Sequence, residues 1–309
     1  MQKILNKIVN SILSPNLGRI NDKLDNLQML QAKEILNSNK LKKNIKDLSE
    51  VEFKVYSQWG EDGIIQYLIN NITIPNKYFI EFGVENYVES NTRFLIKNNN
   101  WSGLVIDGNK TNIDYIKKDA LYWKYDLTAL HAFIAKDNIN QIFIDNGVQG
   151  EIGLLSIDID GNDYWIWKNI EVISPLIVIC EYNSIFGKDL AVTVPYKEDF
   201  QRTKEHFSNL YFGASLKALY LLAKEKGYNF IGTTSAGNDA FFVRGDVADC
   251  FIELTLDQGY LISKFREMRN VNGQLTFMSG EQRLKVIADM TVYDIEKQQI
   301  FLIKELFNI

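Results

Sequence analysis

The sequence predicts an α/β protein built on a doubly wound, mostly parallel sheet that ends in a C-terminal antiparallel hairpin, with helical extensions at both ends. Three observations carry this prediction. Apolar runs of strand length repeatedly end in an acid or an acid and glycine: Tyr78–Phe79–Ile80 before Glu81–Phe82–Gly83, Ser102 to Ile106 before Asp107–Gly108, Gly153 to Ile157 before Asp158, and Leu176 to Cys180 before Glu181. Helix-compatible stretches separate these runs, which is the alternation of a wound parallel sheet. Asn229 to Thr233 and Ala240 to Arg244 are joined only through Ser235–Ala236–Gly237–Asn238, too short for a crossover helix, so they pair antiparallel.

In chain order, residues 1–50 form a polar, helix-prone arm. It carries Ile4, Ile8 and Ile12 on one stripe, then Pro15 and Gly18 as breakers, then Ile20, Leu24, Leu27 and Leu30 at helical spacing. That second stripe packs on its own domain or meets a second copy in a homodimer. Residues 51–250 are the central domain. It opens at Tyr56–Ser57–Gln58–Trp59–Gly60–Glu61–Asp62–Gly63, ahead of a helix carrying Ile64, Ile65, Leu68 and Ile69. Ser90 or Asn91 caps a helix from Thr92 to Lys97, and a further helix spans Thr111 to Asp119. The third strand is expected at His131 to Ala135, followed by Asp137–Asn138 and another helix. Ser215 to Lys226 is amphipathic and stops at Gly227. Residues 251–309 are expected to be a mostly helical extension.

The 309 residues are enough for a full core, with 46% apolar and 24% charged residues. A net charge of −5 disfavours a nucleic-acid partner. Cys180 and Cys250, far apart in sequence, form no metal knuckle or disulfide framework and suit a reducing, cytoplasmic setting. No apolar run approaches the ~20 residues of a membrane span.

The chemistry is expected at the strand ends, where open α/β sheets form their crevice. Glu81-x-Gly83 lacks the three glycines of a dinucleotide loop, and its acids would repel phosphate. It suits a cationic ligand: Gly83 permits close backbone approach, and a carboxylate meets an ammonium, a group that S-adenosylmethionine carries together with a sulfonium. Asp107 is placed to hold a ribose diol. Asp137 meets an adenine amino group or caps a helix. Asp158, Asp160 and Asp163 crowd around Gly161. They bind a divalent cation, supply a general base, or divide into one cofactor contact and two turn residues. Glu181 and Asn183 add oxygen ligands on the same sheet edge. Of the two histidines, His131 is structural and His206 is a candidate base.

YSQWGEDGIIQYL, FIEFGVENYVESNT, GLVIDGN, LLSIDIDGNDYWIWKNI, IVICEYNSIFG, YFGASLKALYLLAKEKGY and GNDAFFVRGD together resemble bacterial methyltransferases related to the FkbM group, over about residues 56–246. The resemblance implies a class I, Rossmann-like methyltransferase fold and S-adenosylmethionine as cofactor. It further implies an O-methyl acceptor that is a sugar, free or nucleotide-linked, or a sugar substituent such as phosphoramidate, in capsule or other surface-polysaccharide synthesis. More distantly the chain resembles metal-dependent sugar O-methyltransferases, which implies magnesium or manganese on Asp158 or Asp160 and Glu181. Carried over, Glu81 and Gly83 line the methionine moiety, Asp107 holds the ribose, and Asp158 sits at the transfer crevice. Arg202, Lys204 and His206 depart from the tryptophan-containing pattern before YFGASL and mark a different acceptor. Two rivals stand beside this reading: a glycosyltransferase using Asp158-x-Asp160 to hold a metal–nucleotide, and a non-catalytic assembly protein.

Overall fold

The structure, a computed structural model, describes residue 20 and residues 23–309, so the Ile4, Ile8 and Ile12 stripe and its breakers lie outside the described residues. A helix at 23–39 (α1) leads into α2 (Glu61–Asn71), β1 (Tyr78–Phe82), α3 (Arg93–Asn99), β2 (Ser102–Asp107), α4 (Lys110–Ile116), α5 (Ala120–Lys124) and β3 (Leu127–His131). Then come α6 (Ile139–Asp145), β4 (Gly150–Ile157), α7 (Asp163–Asn169), β5 (Ile173–Glu181), β6 (Val192–Thr193), α8 (Arg202–Glu205), α9 (Leu216–Glu225), β7 (Tyr228–Thr233) and β8 (Asp239–Arg244).

The main sheet has seven strands in the order β3-β2-β1-β4-β5-β8-β7. β1 to β5 run parallel, and β8 pairs antiparallel with both β5 and β7. This is the expected mixed sheet with its closing hairpin, and it is the class I methyltransferase topology. Side-chain alternation along each strand divides the core between two faces. Ile80, Leu104, Leu155 and Val178 meet Phe143 of α6, Trp167 of α7 and Leu219 of α9 on one face. Phe79, Val105, Leu154 and Ile177 meet Ile64 of α2, Leu95 of α3 and Ile113 of α4 on the other.

Three expectations need correcting. The third strand is Leu127–His131, not His131 to Ala135. β2 ends at Asp107, whose partner in register is His131, so residues 132–135 leave the sheet. Of the two expectations for the second stripe, packing on its own domain is the one corrected, since the arm docks through a different stripe. Ala32 and Leu36 are buried against Phe53, Tyr56 and Phe94, while Ile20, Leu24, Leu27 and Leu30 are exposed. Asp25 secures this seat through the Tyr56 hydroxyl and the Lys97 ammonium. The C-terminal extension is only partly helical. After α10 (Leu256–Gly259) and α11 (Gln282–Val286) come β9 (Thr291–Asp294) and β10 (Gln299–Leu302), an antiparallel hairpin, before α12 (Ile303–Phe307). β9 also pairs with β6, giving a second sheet in the order β10-β9-β6. A separate core forms beneath it from Val192, Val194, Phe200, Leu210, Phe212, Ile287 and Val292. No helix among the described residues is long and apolar enough to cross a membrane.

Candidate active site

A cavity of about 550 Å³ opens beyond the carboxyl ends of β1, β2, β4 and β5, beside the first residue of antiparallel β8. Its position is the one dictated by a wound sheet: strand ends project backbone and polar side chains into the gap between diverging connections. The lining holds nine carboxylates, Glu81, Glu85, Glu89, Asp107, Asp158, Asp160, Glu181, Asp239 and Glu267, against a single cation, Arg202.

Gly83 follows β1 at φ +67°, and a Cβ built on it would lie 1.7 Å from the Asp158 carbonyl oxygen. The first strand's exit turn therefore lies directly against the end of β4. The close approach expected of this glycine is to the protein's own backbone. Glu81 is buried and ties down the start of α3: one oxygen accepts from the Asn91 N–H at 2.8 Å, the other from the Thr92 N–H at 3.0 Å. Burial pushes its carboxyl up to about 7 despite those hydrogen bonds. Asp107 accepts from the N–H groups of Glu85 (2.8 Å) and Asn109 (2.7 Å) and from the Asn112 side chain (3.1 Å). Three of its roughly four acceptor positions are thereby used within the protein, leaving about one for a ligand.

The loop after β4 separates the aspartates by role. Asp163 is fully buried at the start of α7 and accepts from Ile159 N–H (2.8 Å) and Gly161 N–H (2.9 Å), which makes it a loop clamp; burial raises its carboxyl to about 6. Gly161 has no room for a Cβ, which would meet the Phe200 ring at 2.2 Å. Asp158, Asp160 and Glu181 each offer an oxygen within 4.8 Å of the others. Asp158 still reaches solvent, but desolvation among the strand ends and then Asp160 and Asp163 hold its carboxyl well above the ordinary range, and burial followed by Asp158 does the same to Glu181. One Glu181 oxygen, Oε2, is buried with no hydrogen-bond partner. Asn183 is turned to the backbone: its Oδ1 accepts from Ile185 N–H (3.1 Å) and its amide NH2 donates to the carbonyls of Leu210 (2.9 Å) and Phe212 (3.0 Å).

The structure brings together Glu81, Gly83, Asp107, Asp158, Asp160 and Glu181, and leaves two other candidates outside the cavity lining. Asp137 is exposed. His206 holds its Nδ1 2.7 Å from the Ser208 hydroxyl, with burial lowering its pKa. Sequence reasoning passed over Arg202 as a site residue, and missed Asp239 and an aromatic pair at the mouth, Trp59 stacked on Phe265 with ring centres 6.0 Å apart. Arg202 lies 3.8 Å over the Phe212 ring, donates from Nη1 to Asp160 Oδ1 (2.7 Å) and from Nε to the Asn209 carbonyl (2.7 Å). Burial lowers its pKa, but Glu181 and Asp160 outweigh that and keep it charged. Asp239 sits opposite Glu181 in register on β8 and is raised by burial and then by Glu61. The one available signal was an aspartate opening an otherwise apolar strand.

No family model and no curated protein matches the chain. Among solved structures, an S-adenosylmethionine-dependent methyltransferase from Clostridium acetobutylicum superposes with a TM-score of 0.39 at 10% identity, over 60% of this chain and 90% of that one. The O-methyltransferase from Bacillus cereus in complex with S-adenosylhomocysteine gives 0.39 at 15% identity, over 68% and 88%. The N-terminal domain of EvdMO1 with S-adenosylhomocysteine bound gives 0.40 at 10% identity, over 70% and 93%. These superpositions are loose, and strand order and direction alone carry the fold assignment.

Proposed function

We infer that the protein is an S-adenosylmethionine-dependent O-methyltransferase whose acceptor is a sugar hydroxyl or sugar substituent in surface-glycan synthesis. The observation that carries this reading is the charge of the cavity: nine carboxylates against one guanidinium at the ends of β1, β2, β4 and β5. Such a site attracts a ligand bearing an ammonium and a sulfonium and repels a free diphosphate. That charge also counts against a glycosyltransferase holding a nucleotide-sugar on Asp158 and Asp160. The sequence resemblance over residues 56–246 supports the sugar acceptor.

When bound, S-adenosylmethionine supplies an electrophilic methyl group and departs as a neutral thioether. The protein's part is positioning and proton removal. Asp107 holds the ribose with its remaining acceptor position, Gly83 shapes the floor, and the Asp158–Glu181 pair receives the acceptor's proton. A carboxylate whose pKa is raised is, when ionised, a stronger base than an ordinary one. For a divalent cation, the fit is reasonable: three carboxylate oxygens converge, and Glu181 Oε2 lacks any partner. Asp158, Asp160 and Glu181 would hold it, and it would lower the pKa of an acceptor hydroxyl.

Two experiments test this. In calorimetry, Asp107→Ala should bind S-adenosylhomocysteine about tenfold to a hundredfold more weakly, the worth of one charge-assisted hydrogen bond; undiminished binding removes the ribose assignment. Manganese titration followed by electron paramagnetic resonance should show one site that is lost in Asp160→Asn. It should tighten in Arg202→Met, because the guanidinium no longer competes for Asp160. No manganese binding by either the wild type or Arg202→Met would rule out the metal.

A further inference from the structure

The acidic cavity has a neighbour of opposite character. Glu267 on its rim also lines a shallower depression of about 310 Å³, together with Arg266, Arg269, Leu275 and Phe277. A line of polar contacts joins the two. Arg202 bonds Asp160 and the Asn209 carbonyl, the Asn209 side chain donates to Glu267 Oε1 (3.3 Å), and that oxygen lies 3.8 Å from Arg269 Nε. The depression stands on an ordered hairpin. Met268 is buried beneath it, Thr276 N–H donates to the Met268 carbonyl (2.9 Å), Asn270 N–H to the Gln274 carbonyl (2.9 Å), and Arg269 N–H to the Ser208 carbonyl (3.2 Å).

Two features of this depression have no structural explanation. Arg266 is exposed and makes no ion pair among the described residues, although the protein is acidic overall. Phe277 exposes 62% of its surface while held at φ +54°, a conformation costing a bulky residue about 1 kcal/mol or more. Arg269 donates from Nη1 to the Gly273 carbonyl (3.0 Å) and faces Glu267 with Nε, so it offers phosphate only its outer edge beside the unpaired Arg266, and arginine grips phosphate in a bidentate manner. An exposed ring beside them offers a stacking face to a planar base.

We propose that this depression is the acceptor's handle-binding subsite. It takes a nucleoside diphosphate, with the diphosphate on Arg266 and Arg269 and the base against Phe277, while the attached sugar passes Glu267 into the acidic cavity. The acceptor is then a nucleotide-linked sugar that is methylated before its transfer to a glycan. This rests on the methyl-transfer reading for the reaction, but the binding test does not depend on it. The arrangement also resolves a conflict of charge: the anionic handle stays outside the carboxylate-lined cavity, and only the uncharged sugar enters.

The test is calorimetry on the full chain, first with magnesium and then in EDTA, with UDP, GDP and inorganic pyrophosphate as separate probes. At least one nucleotide should bind, roughly tenfold to a hundredfold more weakly in Arg266→Ala/Arg269→Ala, with S-adenosylhomocysteine affinity and thermal melting unchanged. Phe277→Ala should weaken the nucleotide but not pyrophosphate. The proposal is overturned if no probe binds the folded wild type, if the double variant binds as well as the wild type, or if EDTA abolishes nucleotide binding. That last result would put the diphosphate on a metal at Asp158 and Asp160. Nucleotide binding without any S-adenosylhomocysteine binding would instead sink the methyl-donor reading and leave the subsite standing.

Discussion

Gly83→Ala is expected to cost about 3–5 kcal/mol of stability and to abolish S-adenosylhomocysteine binding. Two penalties combine. At φ +67° an alanine is strained by roughly 1–2 kcal/mol. Its Cβ would also stand 1.7 Å from the Asp158 carbonyl oxygen, so β1 and β4 must separate at the very edge where both lay their functional groups. Gly147 provides the control, since its φ of +72° is nearly the same but nothing lies within 4 Å of an added Cβ. Gly147→Ala should therefore show only the conformational penalty. Urea denaturation of the two variants separates the terms, and equal losses would show that the approach of the two strand ends is not tight.

The second large effect is a gain of stability at the expense of function. Glu181 is buried beside Asp158, and both influences raise its carboxyl above the ordinary value of 4.5. The folded state thus holds its proton at pH values where the unfolded chain has released it. Stability is fully present below the unfolded value and is lost as pH rises toward the folded one. Glu181→Gln removes that loss and lets an amide donate to Asp158. We expect the variant to be about 1–2 kcal/mol more stable than wild type at pH 8 in EDTA, with the difference vanishing near pH 4. Manganese binding should fall in the same variant. Melting curves across this range check the sign; a variant that is less stable at pH 8 would mean that Glu181 is held as a carboxylate by partners other than those seen here.

Much of this site is legible in the sequence because strand ends advertise themselves. Gly83, Asp107, Asp158 and Glu181 each close an apolar run, and a parallel sheet brings such ends to one edge. What stays hidden depends on packing between distant segments. Asp239 reaches the cavity only because β8 runs antiparallel to β5, which puts its first residue beside the last residue of β5. Arg202 lies in a short polar helix with no periodicity to mark it, and its role appears only when Phe212 and Asn209 fold beneath it. The third strand was misplaced because the run from His131 to Ala135 is as apolar as the true strand; register with β2, not hydropathy, ends it at His131. Asp163 and Asn183 look like ligands by type, yet backbone groups take up their polar atoms.

The small sheet β10-β9-β6 bears on the order in which the protein assembles. Val192 and Thr193 find their strand partner roughly a hundred positions later in the chain, a separation that delays closure. The main sheet, which bears the proposed donor pocket, is complete once β8 has emerged from the ribosome. The wall carrying Phe200 and Arg202 has to wait for β9. During synthesis there is thus a stage at which the strand ends that line the proposed donor pocket are assembled while the wall facing them is still unformed.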